Sequence, residues 1–452
     1  MNLKRSLVLL LLSSAVLTGC GGDEGVKCTF KNPIVIDEGP AQWPKFRRDS
    51  QNTGTIVLPN AGYEAVAAAD RPRREATWVF PPVDETARGP FPASASLNSA
   101  TGDDRRLYIG SADGTFFVLR ASDGARVSNF GGDGILFTAA PIAITSTALV
   151  GTLDLKDAIV VGTGDSRLFG IDGDGFILQD IWPFITDSFI RASPAMTVDG
   201  LFLTGTIGSG AFGVCPNGVG RFGITVGSTE SSPAVGRDPN KNLDGTFFSG
   251  ANDRRLRAIR SDGILRWTFS MSAPIVSSPV VQLSPDNTQT AAIYVADVDG
   301  LVSKIDSNGE PFVDFGFVRG SIGPTESSPA LTRHPNDSLR LYLGSDDGNL
   351  YAIDAATGAV LWSFATGGVV RSSPAVVRNA DRTSNPIVIV GSFDGSLYYV
   401  EDLGAEPSLV GTFAVPASDS PTVPTSIESS PAVDFDGTVI FGSDNGRIYA
   451  VR

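Results

Sequence analysis

The stretch LYLGSDDGNLYAIDAATGAVLWSFATGGVVRSSPAV, Leu341–Val376, holds one complete structural unit. With Arg340 in front, its first half reads RLYLGSDDGNLYAID, two runs of alternating apolar residues joined at Asp347-Gly348. An Asp-Gly pair between such runs is a strong hairpin signal, because tight hairpin turns need positive φ. AATG (Ala355–Gly358) is a second turn, and AVLWSF (Ala359–Phe364) is a fourth strand carrying a tryptophan. SSPAV (Ser372–Val376) is short, small and apolar, which suits an innermost strand crowded near an axis. Four antiparallel strands with no helical period between them describe one blade of a β-propeller.

The same grammar recurs on both sides. Gly344, which opens the turn, has counterparts at Gly110, Gly162, Gly205, Gly250, Gly391 and Gly442, with Ala296 in the remaining place. Successive markers lie 43–52 residues apart, the length of a blade. A second marker, proline in SPA-like contexts, gives the same count of eight at Pro92, Pro141, Pro194, Pro233, Pro279, Pro329, Pro374 and Pro431. The expected fold is therefore all-β, an eight-bladed β-propeller of four-stranded antiparallel blades. Outer strands are expected at Ala125–Phe130, Phe176–Ile181, Arg221–Val226, Ile264–Phe269, Pro311–Gly316, Ala359–Phe364 and Ser408–Phe413, seven for eight blades. The last repeat ends in GRIYAVR, a third strand, whereas EATWVFP (Glu75–Pro81) has the outer-strand pattern and no blade of its own. Ala76–Phe80 is thus expected to pair with Arg447–Val451 and close the ring, leaving no open sheet edge.

YAIDAATGAVLWSF (Tyr351–Phe364) resembles the A-x-D-x-x-T-G-x-x-x-W blade motif of pyrroloquinoline-quinone-type propellers. WPKFRRDSQNTG (Trp43–Gly54) is similar to the opening segment of many proteins built from these repeats, so the resemblance spans about residues 43–452. Blade three departs from it, since LTGTIGSGAFGVCPNG (Leu203–Gly218) lacks the Asp-Gly turn. Blades one, two and five lack the outer tryptophan present at Trp78, Trp267 and Trp362. The motif speaks for fold; the family it marks includes both quinone enzymes and catalytically inert scaffolds.

The N-terminus reads as a targeting signal. Lys4 and Arg5 precede an apolar run from Leu7 to Leu17, and Leu17-Thr18-Gly19-Cys20 resembles the lipobox of bacterial lipoproteins. Residues 1–19 are expected to be a removed signal peptide, 20–74 a lipidated tether and wrapping segment, and 75–452 the propeller. Lipid on Cys20 supplies several acyl chains, which makes membrane anchoring stable. Gly21 after the cysteine, by resemblance to Gram-negative lipoproteins, implies the outer membrane, facing the periplasm or the cell surface. Without Lys4 and Arg5, 33 basic residues remain of the 35, against 49 acidic ones. Such a surface repels nucleic acid and anionic headgroups. Fifty-one glycines and 29 prolines mean many turns, and 42% hydrophobic content means a real core. Cys28 and Cys215 either pair in an oxidising periplasm or stay separate thiols; their spacing does not decide.

Catalytic chemistry finds few residues. By the resemblance, a quinoprotein dehydrogenase needs adjacent cysteines beside pyrroloquinoline quinone (PQQ), a Ca²⁺ site of Asp, Glu and Asn, and a catalytic Asp. No Cys-Cys pair and no C-x-x-C-H motif occur, so no cofactor is expected, with PQQ and Ca²⁺ kept as the alternative. His334, the only histidine, sits in TRHPNDS, a polar turn where solvation is expected; one imidazole makes no His-based zinc site. NKNLDG (Asn240–Gly245) puts Asn240, Asn242 and Asp244 at positions 1, 3 and 5 of a Ca²⁺ loop, but position 12 is Ala251. The turn reading is preferred there, since hairpins need Asp-Gly anyway.

Arg191, Glu230, Glu326, Arg371 and Glu428 each precede an (A/S)SP start by the same offset, and are expected to ring one mouth of the central channel. There they either bind a small polar ligand or a partner's loop, or satisfy neighbouring strands. The expected function is a non-catalytic envelope scaffold that binds other proteins as a monomeric propeller. It resembles the propeller lipoprotein of the outer-membrane β-barrel assembly machinery. A quinoprotein oxidoreductase and a surface binder of glycans or other ligands are the alternatives.

Overall fold

Each hairpin of the repeat makes a sheet that is apolar on both faces, and one blade cannot cover those faces alone. The computed structural model describes residues 45, 49, 52–67, 73–82, 85–131, 135–137, 142–153, 156–178, 182–197, 200–208, 210–237, 245–317, 319–381, 383–417 and 425–452. Within them the buried apolar residues fall into clusters that each join neighbouring blades. Tyr342, Trp362 and Val388 pack between blades six and seven, and Tyr294, Leu341 and Tyr351 between blades five and six. One cluster joins blades seven, eight and one to the N-terminal segment, through Ile56, Trp78, Phe117, Ile389 and Tyr449. Among the described residues, no helix is long and apolar enough to cross a membrane.

Eight sheets surround the axis. Blade six is typical, its strands Ala330–Arg333, Leu339–Gly344, Asn349–Asp354 and Val360–Ala365 pairing in sequence order. Blade eight is completed from the other end of the chain. Ala76–Phe80 pairs antiparallel with Arg447–Val451, with Trp78 opposite Ala450 and Phe80 opposite Ile448. The ring therefore closes as the repeat pattern predicts.

Three outer strands differ from expectation. In blade one, Ala125–Phe130 makes only one bridge, Arg126 with Leu119, and the fourth strand is Ile135–Phe137. Phe130 is buried in the core shared with blade two, so this segment enters the seam instead of following the edge. In blade two, the described part of the expected strand, Phe176–Leu178, likewise gives a single bridge at Ile177, and Phe184–Ile185 is the fourth strand. Blade five has three strands; Pro311–Gly316 contributes one bridge at Pro311, where the missing N–H cannot extend a ladder.

The proline marker is also out of register in the first two blades. The residue that matches Pro374 is Ala95 in blade one and Ala148 in blade two, while Pro92 sits three residues before Ala95, in the rim position. Pro141 lies outside the described residues, as do Cys20, Cys28, Asn240, Asn242 and Asp244.

The two serines of SSP have separate tasks. The first accepts a hydrogen bond from the glycine of its own second strand, as Ser327 Oγ does from Gly344 N (3.2 Å) and Ser372 Oγ from Gly391 N (3.1 Å). The second accepts from the preceding blade, as Ser373 Oγ does from Ser328 N (2.9 Å). The glycine itself is fixed by the next blade. A Cβ on Gly250 would lie 2.2 Å from Ile275 Cγ2, and one on Gly391 would lie 2.3 Å from Ile427 Cγ2. Gly250→Ala should therefore cost about 1–3 kcal/mol by overpacking. Gly316→Ala, whose nearest neighbour would be Thr357 O at 3.9 Å, should leave the unfolding midpoint near wild type in the same thermal melt.

The segment before the propeller closes one end of the axis. The Asn52 carboxamide donates to the carbonyls of Ser232 (3.3 Å) and Pro279 (3.1 Å), and Lys45 Nζ donates to Asn52 Oδ1 (2.9 Å). Thr53 O accepts from Leu331 N in blade six (2.8 Å), and Gly54 O from Val376 N in blade seven (2.8 Å). Thr55–Leu58 then pairs in parallel with Ala375–Asn379, giving blade seven a fifth, innermost strand. The helix Asn60–Ala67 follows, its Tyr63 hydroxyl donating to the Asn385 carbonyl (2.5 Å).

Candidate functional site

At the other end of the axis a cavity of about 230 Å³ is lined by two stacked rings, one residue from each blade in each ring. Their spacing follows from the repeat, because a residue just ahead of each innermost strand must face the axis.

The inner ring consists of hydroxyls. Ser94 N donates to Thr147 Oγ1 (3.2 Å), Thr147 N to Ser193 Oγ (3.0 Å) and Ser193 N to Ser232 Oγ (2.9 Å). The series continues through Ser278, Ser328, Ser373 and Ser430 at 2.8–3.0 Å. Ser430 N donates back to Ser94 Oγ (3.0 Å), so the circuit is closed. Each hydroxyl oxygen thus accepts one amide and keeps a lone pair and its own O–H. All eight side chains are nearly inaccessible from outside yet line the cavity. This ring is not among the features expected from the sequence. Its signal was the hydroxyl two residues past each rim position, which persists in blades one and two where the proline does not.

The outer ring contains the five charged residues expected there. Arg191, Glu230, Glu326, Arg371 and Glu428 all line the cavity, and Pro92, Thr145 and Val276 fill the ring in blades one, two and five. Arg191 is paired with Glu230 (3.1 Å). Arg371 grips Asp346 through two nitrogens (3.2 and 3.0 Å) and also reaches Glu326 (3.4 Å). Glu428 has no hydrogen bond or ion pair among the described residues. Although it is open to the cavity by area, the walls desolvate it and push its carboxyl above the usual range. Asp444 and Glu326 add to that rise, while Arg371 and Arg191 oppose it. The Asp444 carboxyl is also raised by burial, with Ser426 Oγ donating to it (2.5 Å).

The raised Glu428 pKa has a stability consequence. The folded state holds the Glu428 proton more tightly than the unfolded state, so its ionised form opposes folding above the folded pKa. Glu428→Gln should raise the melting temperature at pH 7. The gain should shrink as pH falls through the raised pKa and vanish below the unfolded value of about 4.3. Paired melts of wild type and variant at pH 7 and pH 4 check this.

His334 is buried, not solvated: it is 8% exposed, and Nε2 donates to the Asp402 carbonyl (3.2 Å) in the seam between blades six and seven. Cys215 is buried and disulfide-bonded, and its partner lies outside the described residues. Among the described residues no three His, Cys, Asp or Glu side chains are grouped to hold a metal ion. Blade two does supply a seam tryptophan. The indole N–H of Trp182 donates to the Pro216 carbonyl of blade three (2.8 Å), as Trp267 does to Ser307 and Trp78 to Ala121, each at 2.9 Å.

Comparison with known proteins agrees with this architecture. A family model described as outer membrane protein assembly factor BamB matches residues 322–452, which cover blades six to eight. The outer membrane protein assembly factor BamB of Yersinia pestis is 26% identical over 166 residues, 36% of this chain and 39% of the relative. The beta-alanine-activating enzyme of Danio rerio is 24% identical over 200 residues, 41% of this chain and 16% of that protein. The chain thus spans well under half the length of these curated relatives. Among solved structures, BamB from Moraxella catarrhalis superimposes with a TM-score of 0.55 at 17% identity, covering 84% of this chain and 99% of that one. A europium-containing methanol dehydrogenase gives 0.64 at 13% identity, covering 92% and 98%. These two superpositions carry the fold alone. The closed eightfold ring, its blade motif and the match over the last three blades make the chain a pyrroloquinoline-quinone-like β-propeller similar to the outer membrane protein assembly factor BamB.

Proposed function

We propose that this protein is a cell-envelope lipoprotein whose propeller serves as a non-catalytic scaffold for other envelope proteins, in outer-membrane protein assembly. The observation that carries the reading is the match of blades six to eight to the BamB family model. Its second support is the mouth of the axial cavity, where charged residues from five blades converge on one concave surface. Cys20 is the proposed lipid anchor, holding the protein at the outer membrane, and Cys28 the proposed partner of Cys215.

The residues of the cavity do not fit PQQ and Ca²⁺. The quinone is a planar tricarboxylate, and here it would meet a mouth with more carboxylates than guanidiniums, both guanidiniums already paired. Among the described residues no three carboxylates are grouped closely enough to hold a divalent ion.

Two measurements test the scaffold. Cys20→Ser should abolish fatty-acid labelling and release the protein from membranes. In-membrane crosslinking from cysteines placed at the rim should capture a component of outer-membrane protein assembly. Quinone absorbance with dye-linked alcohol oxidation after adding PQQ and Ca²⁺, and no such capture, would overturn the reading in favour of an enzyme.

A further inference from the structure

We infer that the axial cavity is a binding site for a primary ammonium group. Apart from Arg191 and Arg371, every polar side chain that lines it ends in oxygen. Both arginines are engaged with carboxylates, so neither is a free cation that would repel a second positive charge. Glu230, Glu326, Asp346 and Glu428 face those two guanidiniums, which leaves the mouth net negative. Glu428 is the rim carboxylate that makes no ion pair or hydrogen bond among the described residues, with Arg371 and Arg191 acting on it only through space.

The inner ring supplies the remaining contacts. Each hydroxyl oxygen has used one lone pair on the amide of the preceding blade and can accept one more N–H. An ammonium carries three N–H donors and no acceptor, so one carboxylate and two hydroxyl oxygens satisfy it completely. A carboxylate or phosphate could use the hydroxyl protons, but only after passing a net negative mouth. A divalent metal would gain a single carboxylate. The volume of about 230 Å³ is large against the ~30 Å³ of one water and admits an unbranched aminoalkyl chain.

The same ammonium chemistry is offered by a free amine and by a lysine side chain on a docked partner. The latter would deepen the scaffold reading by naming what the partner inserts. Binding is measured on the isolated chain, so its failure is separate from a failure to crosslink an assembly component.

The experiment is calorimetric titration of the full mature chain with 1,5-diaminopentane, with a blocked lysine peptide and with its Nε-acetylated form. Both amines should bind and the acetylated peptide should not; the stronger of the two identifies the source. Glu428→Gln should weaken amine binding about ten-fold or more, as loss of a charge-assisted hydrogen bond requires. Ser328→Ala should weaken it less, and Leu409→Ala, on the outer edge of blade seven, should not change it. The inference is overturned if neither amine binds, if Glu428→Gln binds as tightly as wild type, or if Ca²⁺ or the acetylated peptide binds as well as the amines.

Discussion

Replacing Asp402 with alanine should lower stability by about 3–5 kcal/mol, because it strands a buried guanidinium. Asp402 is wholly inaccessible at the end of the third strand of blade seven. Its carboxylate accepts from Arg340 Nη1 on both oxygens (2.5 Å each), from the Tyr342 hydroxyl (2.6 Å), from Trp362 Nε1 (2.9 Å) and from Gly404 N (2.9 Å). Three of these donors belong to blade six, so one carboxylate fastens a whole seam. Removing it leaves Arg340 charged and buried without its counter-ion. The double replacement Arg340→Met with Asp402→Leu should be milder, since it removes both charges together and leaves only neutral donors, Tyr342, Trp362 and the Gly404 amide, without their acceptor. Urea unfolding of the single and double variants checks the pair. A single variant within about 1 kcal/mol of wild type would mean that the seam rests on apolar packing alone.

The second large effect lies at the seam where the two ends of the chain meet. Trp78→Ala should cost about 3–5 kcal/mol, the usual penalty for emptying a buried aromatic site. Trp78 is 8% exposed, its indole donates to the Ala121 carbonyl of blade one (2.9 Å), and a Cβ on Gly124 would lie 2.5 Å from its ring. Two residues on, Phe80 meets Phe117 edge-on at 5.2 Å. Both aromatic side chains come from the strand that completes blade eight, so the variant loosens the closure itself. Leu409→Ala, a half-exposed apolar residue on the outer strand of blade seven, should stay within about 0.5 kcal/mol.

The eightfold repeat and the closing strand were legible because each rests on a local rule. Asp-Gly turns such as Asp347-Gly348 need positive φ, and Gly348 has it at +87°. The unpaired pattern of Ala76–Phe80 and the unfinished last blade pointed at each other. Where the reading slipped, the position tolerated more than one residue. The innermost strand requires a hydroxyl to accept the preceding blade's amide, and Ser94 and Thr147 provide it, whereas the next residue is proline in six blades and alanine in two. Outer strands of blades one, two and five were misplaced because those edges are half solvated, so an aromatic such as Phe130 can turn inward without leaving the alternating pattern. The rim charges could be placed from their constant offset, but their pairing could not. Only the geometry brings Arg371 to Asp346, a residue from a different turn. His334 looked solvated because its own turn is polar, while its partner Asp402 lies 68 residues away.

The claim on which the rest depends is that Ala76–Phe80 and Arg447–Val451 form one ladder. Amide hydrogen exchange read by mass spectrometry tests it directly, with the outer strand Val360–Ala365 of blade six as the internal standard. Peptides covering Ala76–Phe80 should exchange as slowly as that strand, and Trp78→Ala should speed exchange there and in Arg447–Val451 together. Exchange of Ala76–Phe80 at the rate of an unstructured chain, with Arg447–Val451 indifferent to the substitution, would contradict the closed ring.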